Sequence, residues 1–447
     1  MERAGVRDAG QWRVPGYPYL RLDRFTASFA ADAAREPALF RAWLARARAL
    51  DRDAREVEIG NLPPAALQAL QAGSRQAVFD RTERGAALLE AQDFATAEAR
   101  RRLIEASAVP SGYDQLGRAA GLYPLTRLLF AQGVRAWHAD AEATFRHFDA
   151  SALGADVVRY APPPGPRLDP RRVAAWIARG SGDPLGIPRF DATQRAALFA
   201  TYAPEFAIAT AGDFDRPGAV RWGEAPTPGV DPSQPTVYQR LAYTRYANRV
   251  LPQLVYTLWF AARPGSSALD PLAGALDGII FRVTLGADGL PLVYDSIHPC
   301  GCYHMFFPTA RVRAEPPPRP LEEWAFSPAT APELRPGERV RVYIASGTHY
   351  LSGIAAASPA APASGYRFAD ERALLALPLP GGGTRSLYGP EGLVAGTERA
   401  ERFLFWPMGV PSAGTMREWG LHDTAFVGER HFDDPDLIER RFRPAAP

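Results

Sequence analysis

At Thr236 the chain changes its hydrophobic period, and that change constrains the fold more than any other feature. Before it, apolar residues recur at helical spacing. After it, short aromatic and β-branched runs follow one another between turn residues. Residues 237–246 and 254–260 read as strands. Residues 278–285 and 290–297 flank Gly286-Ala287-Asp288-Gly289, a hairpin signal. Val340, Val342 and Ile344 alternate with Arg339, Arg341 and Tyr343, the pattern of a half-buried strand. Residues 374–379 and 402–406 are two further strand candidates. Strands joined by short turns make an antiparallel meander or sandwich.

Upstream, Leu39, Phe40, Trp43, Leu44, Ala47 and Leu50 lie on one face of a helix over 37–50. Further helices are expected over 74–91, 96–108 and, with Pro/Gly punctuation, 111–148. No repeat of solenoid period is present. Trp137, Phe145 and Phe148 read as core contacts, and His138 and His147, nine residues apart, fall on opposite helix faces. Ala161-Pro162-Pro163-Pro164-Gly165-Pro166 is a linker, and Asp169-Pro170 caps a short helix carrying Val173, Trp176 and Ile177. The fold class is therefore α+β: a mainly helical region over 1–160, a Pro/Gly-rich bridge with a short helix and otherwise little regular structure over 161–235, and a mainly antiparallel β domain over 236–447.

Composition excludes several chemistries. All 51 basic residues are arginine. A P-loop nucleotide site, a pyridoxal phosphate Schiff base and a kinase-type lysine are unavailable to such a chain. The formal charge of +2 is spread over both signs without a basic block, so neither nucleic acid nor an anionic membrane is implied. No apolar run has the length of a transmembrane helix or, near Met1, of a signal peptide. The expected compartment is the cytoplasm, or the periplasm or exterior if a leader was trimmed.

One segment concentrates candidate chemistry. Ile297-His298-Pro299-Cys300-Gly301-Cys302-Tyr303-His304 holds both cysteines and two of the seven histidines. His298, Cys300, Cys302 and His304 alternate, so a straight strand would spread them over roughly 20 Å at about 3.3 Å per residue. Convergence requires a bend, which Pro299 and Gly301 supply as a turn beginning at His298. Thiolate with imidazole favours zinc or copper. Asp295, Tyr294 and Tyr303 are the nearest groups able to orient an imidazole. The spacing fits neither a zinc finger nor C-x-x-C. A strained Cys300–Cys302 disulfide or dithiol, and a purely structural cluster, stay open as alternatives.

His349, at the end of the strand from Val340, is either a surface histidine or a further ligand. Asp434-Pro435 reads as the cap and first turn of a helix over 435–442, leaving His431 and Asp433 free for function, as are His422 and Asp423. Gly381-Gly382-Gly383 is a hairpin tip, and no G-x-S-x-G or H-E-x-x-H motif is present. The leading expectation is a metal-binding protein, hydrolytic or redox, using His298, Cys300, Cys302 and His304. A thiol redox protein and a non-enzymatic scaffold are the alternatives.

Overall fold

The computed structural model describes the chain except residues 72, 151–155, 166, 225–226, 268–269, 359–362 and 446–447. The chain is α+β, with its long helices in the N-terminal part and mostly antiparallel sheets after them. Pro37 opens the helix Pro37–Gly60, which buries Phe40, Trp43, Leu44, Ala47 and Ala54 along one stripe. Covering a side chain such as Trp43 contributes about 1.5–3 kcal/mol. Asp51 and Glu58 lie on the same stripe and are held by the buried guanidinium of Arg21 at 3.0 and 2.8 Å. Ser74 and Thr96 accept backbone N–H groups and so start Arg75–Asp93 and Ala97–Glu105. The helix Tyr123–Arg146 follows, and no helix among the described residues is long and apolar enough to cross a membrane.

The larger sheet is a meander of Thr236–Tyr246, Arg249–Arg263, Gly274–Leu285, Pro291–Ile297 and Met305–Pro308, with Arg367–Asp370 added parallel at the far edge. Ala247 and Asn248, both at positive φ, make its first two-residue turn. A second sheet orders Leu351–Ala357, Arg339–Ile344, Glu205–Ala209, Val157–Ala161 and Ser364–Gly365. The core lies between the sheets, where Leu254, Tyr256, Leu258, Phe260, Phe281 and Val283 meet Phe206, Ile208, Val342 and Ile344. The opposite face of the larger sheet is also covered, so residues of both parities are buried along Arg249–Arg263. That covered second face carries Arg282 and Asp295, whereas Asp277, paired with Phe260, belongs to the face toward the smaller sheet.

The sequence expects little regular structure over 161–235 beyond one helix, and here the structure differs. Pro170–Ala178 is joined by a second helix, Ala192–Tyr202, started by a reciprocal Asp191–Gln194 capping box. Glu205–Ala209 then forms an interior strand of the smaller sheet. The Pro/Gly content of the segment hides a five-residue strand with four buried residues. Residues 402–406 are not a strand: Arg402–Phe405 is helical and continues into a tight 3-10 turn, Trp406–Met408. Residues 374–379 split into the 3-10 segment Glu371–Ala376 and a short strand, Leu377–Pro378, whose hairpin tip is Gly381–Gly383. Short apolar runs carry too few residues to separate the two periods. Asp434 does not cap the last helix, which is Leu437–Arg441; its carboxylate is engaged by the His431 ring and backbone instead.

Candidate functional site

The Cys/His segment is the tip between Pro291–Ile297 and Met305–Pro308. The Gly301 N–H donates to His298 O at 2.8 Å, and the His298 N–H to Cys302 O at 3.0 Å. Gly301 sits at φ +94, and a Cβ there would lie 2.5 Å from Asp423 O. Backbone freedom and space both demand glycine at this position. The turn does not gather its four alternate side chains about one point.

His298 turns toward Asp277, with Nδ1 3.1 Å from Oδ1. The other oxygen of Asp277 lies 2.9 Å from His349 Nδ1. His349 Nε2 is in turn 3.3 Å from Asp215 Oδ1. Asp215 also accepts from Ser346 Oγ and from the N–H groups of Gly347 and Ala211 at 2.7, 2.7 and 2.8 Å. A buried chain Asp215–His349–Asp277–His298 results. Burial works against charge along it, yet the His349 pKa is raised, because two carboxylates flank the ring, Asp277 hydrogen-bonded to Nδ1 and Asp215 facing Nε2. Asp215 is held down to about 2 and Asp277 well below the usual carboxylate range, in both cases by imidazole and hydrogen-bond donors that outweigh desolvation. His298 is pushed down by burial more than Asp277 can restore, which leaves a neutral ring whose Nε2 is buried without a partner.

His304 goes elsewhere. Its Nε2 lies 3.0 Å from Asp295 Oδ2, and Asp295 is gripped by Arg282 at 2.9 and 2.5 Å. Burial lowers the His304 pKa to about 3. The neutral ring stacks on Phe306, its centroid 4.1 Å away, and Nδ1 has no partner. Cys300 is buried in an apolar cluster with Trp259, Leu276 and Met416, whereas Cys302 is half-buried. Both are free thiols, and a hydrogen bond with Cys300, together with burial, pushes the Cys302 pKa well up. Tyr294 faces the opposite side of the sheet against Phe281. Among the described residues no three His, Cys, Asp or Glu side chains are grouped as ligands of one ion.

His349 is fully buried, not a surface residue, and it stacks on Phe260 with centroids 4.0 Å apart. Its backbone, like that of Tyr303, is left-handed, at φ +53 and +62. Such conformations in bulky residues cost on the order of 1–3 kcal/mol and mark sites whose surroundings dictate the backbone. His431 belongs to a separate cluster, with Nδ1 3.0 Å from Asp434, Nε2 3.3 Å from Asp423 and Asp433 3.5 Å from Arg24.

Beside the turn opens a cavity of about 550 Å³. Its walls are mostly apolar, with Phe130, Val134 and Trp137 from the helix Tyr123–Arg146 facing Phe326, Phe405 and Phe426. The chemically active groups that reach it include Cys302, Tyr303, His304, Tyr350 and Glu401, and Glu323, Asp423 and Arg430 line it as well. Glu401 is raised to about 7 by burial, which outweighs Arg263, Arg399 and Arg417. Arg263 donates to Tyr350 Oη at 3.1 Å. His138, on the opposite wall, stacks on Phe326 and is lowered to about 4 by burial.

The sequence pointed to the turn and to His349 but not to Asp215, Asp277, Arg282, Tyr350 or Glu401. Two of these left a trace: Asp277 and Arg282 are charges inside an otherwise apolar strand, which only a buried partner makes tolerable. No protein-family profile, curated protein or solved structure matches this chain.

Proposed function

We infer that the protein binds a mainly apolar small molecule in this cavity and carries out proton transfer on it. The observation that supports the reading is the meeting, in one apolar cavity, of Glu401, His304, Tyr303 and Tyr350. An apolar pocket with a few convergent polar groups is how ligand sites are built. Glu401, titrating near 7, can hold or release a proton at neutral pH. His304, with Nε2 committed to Asp295, offers its Nδ1 lone pair as an acceptor. Tyr350, whose Oη accepts from Arg263 and from Tyr303, keeps its own hydroxyl proton as a donor to an oxygen of the ligand.

The test is binding of the neutral fluorophore N-phenylnaphthylamine. The native protein should bind it, and Val134→Trp, which projects an indole into the cavity, should weaken binding at least about tenfold. Unchanged binding in that variant rules the cavity out as the ligand site. Among ligands found in this way, turnover in Glu401→Gln should fall at least about a hundredfold.

A second reading keeps the turn as a dithiol or soft-metal site, supported by two free thiols within hydrogen-bonding reach of each other. Zinc or copper there would use Cys300 and Cys302; the carboxylate contacts of His298 and His304 take one ring nitrogen each and leave His298 Nε2 and His304 Nδ1 open. Elemental analysis of protein purified without chelator decides it. Less than one metal per chain, with no reversible thiol oxidation, removes this reading.

A further inference from the structure

The helix Tyr123–Arg146 is apolar on two faces, and only one of them faces the cavity. Phe130, Val134 and Trp137 line the cavity. Leu122, Leu125 and Leu129 follow a second stripe, and Leu129 is 71% exposed. Next to that stripe lies Arg402–Met408, joined to the helix by the Phe130–Phe405 ring contact at 5.5 Å. It adds Phe403, 68% exposed, with Leu404 and Trp406. A helix apolar on most of its circumference calls for an apolar environment on both sides, and this one has an internal partner on one side alone. The exposed residues continue from the cavity wall itself, since Leu129 and Phe405 also line the cavity.

Charge identifies the occupant. Arg127 and Arg402 lie over the rings of Tyr123 and Phe403, and Arg135 is exposed; none of the three has a carboxylate partner among the described residues. The acids bordering the patch are already engaged. Asp114 caps the preceding helix through the Gly117 N–H, and Glu429 is held by Arg118 at 2.7 Å. The free acids of the helix, Asp140 and Glu142, come beyond the patch, about 16 Å along the axis from Leu129 at ~1.5 Å per residue. Exposed leucines and aromatics edged by unpaired arginines match the boundary of an anionic bilayer, where rings sit at headgroup depth and guanidinium groups meet phosphates.

We propose that this rim docks on an anionic lipid surface, with the cavity mouth turned toward the lipid. The docking is independent of the acid–base reading above. Only its corollary, that the cavity's ligand is drawn from the membrane, rests on that reading.

The protein is tested with vesicles of phosphatidylcholine alone and of phosphatidylcholine mixed with phosphatidylglycerol. It should co-sediment with both and at least about fivefold more with the anionic vesicles, a preference that salt removes. Leu125→Asp combined with Phe403→Asp should lower binding to both at least about tenfold while N-phenylnaphthylamine binding persists. That separates loss of docking from loss of the cavity. Arg135→Gln with Arg402→Gln should abolish only the anionic preference. A measurement on the native chain guards against misfolded variants: brominated lipid should quench tryptophan emission, less so in Trp406→Phe. No partitioning of folded native protein overturns the proposal, and equal binding to both vesicles overturns its anionic part. A native dimer that the double Asp variant splits to monomers assigns the patch to a second copy of the chain.

Discussion

Two histidine–carboxylate arrangements flank the same turn, both buried, and their imidazole pKa values move in opposite directions. His349 faces Asp277 and Asp215, and its pKa is raised. His304 faces Asp295 alone, and its pKa falls to about 3. The difference lies in what else the carboxylate serves. Asp295 is already neutralised by Arg282, and Arg430 adds further positive potential at His304. Asp215 and Asp277 have no such arginine in hydrogen-bonding contact among the described residues; their other donors, the His298 ring among them, are neutral. Proximity of an acid to an imidazole therefore does not fix the proton; the count of charges around the pair does.

The contrast is broken most forcefully at its acids. Asp277→Asn removes the shared acceptor of two rings and should destabilise the fold by about 3–5 kcal/mol, read as a shifted denaturant midpoint. A cost below about 1 kcal/mol would mean that neither ring depends on this carboxylate. Arg282→Met should cost a similar amount by leaving Asp295 unpaired, and it should raise the His304 pKa toward the ordinary ~6.5, visible by NMR titration.

Acid separates the two arms by sign. An unfolded histidine titrates near 6.5. His304 stays neutral in the folded chain down to about 3. Below ~6.5 the unfolded chain takes up a proton that the folded one does not, so stability from this arm is complete above that pH. It falls by up to about 1.4 kcal/mol per pH unit on the way down. His422, also lowered to about 3 by burial, adds to the same limb. The raised pKa of His349 acts the other way: its contribution is complete below ~6.5 and is lost as pH rises through the folded value. His304→Gln should flatten the acid limb and leave the alkaline one in place. An acid limb unchanged in that variant would show that His304 titrates normally.

A smaller effect sharpens the role of the turn. Gly301→Ala puts a Cβ against Asp423 O at a left-handed φ and should cost about 1–3 kcal/mol. The smallest effect is expected at the cavity wall. Cys302→Ala, at a half-buried position, should change stability by less than about 1 kcal/mol and leave the His349 titration untouched. A larger loss would tie the thiols to the fold and favour the dithiol or metal reading.

Much of the fold was legible because local spacing dictates it. The helix stripe through Phe40, Trp43 and Ala47, the hairpin at Gly286–Gly289 and the alternation from Arg339 to Ile344 each follow from side-chain period and turn chemistry, and each stands in the structure. The turn at His298–Gly301 was legible for the same reason, since Pro299 and Gly301 specify it within four residues. Of the partners of its histidines, Asp295 lies close in sequence and was legible as able to orient an imidazole, whereas Asp277 was not. His349 reaches Asp277 across 72 residues of chain and Asp215 across 134, and Glu401 comes to the cavity from the start of Arg402–Phe405, a segment that reads as a strand from sequence alone. Sequence period decides which way a side chain points; it does not decide what waits there. That depends on how two sheets and one helix close over the turn. In a buried site the surrounding charges, not the residue types, then determine which imidazole carries the proton.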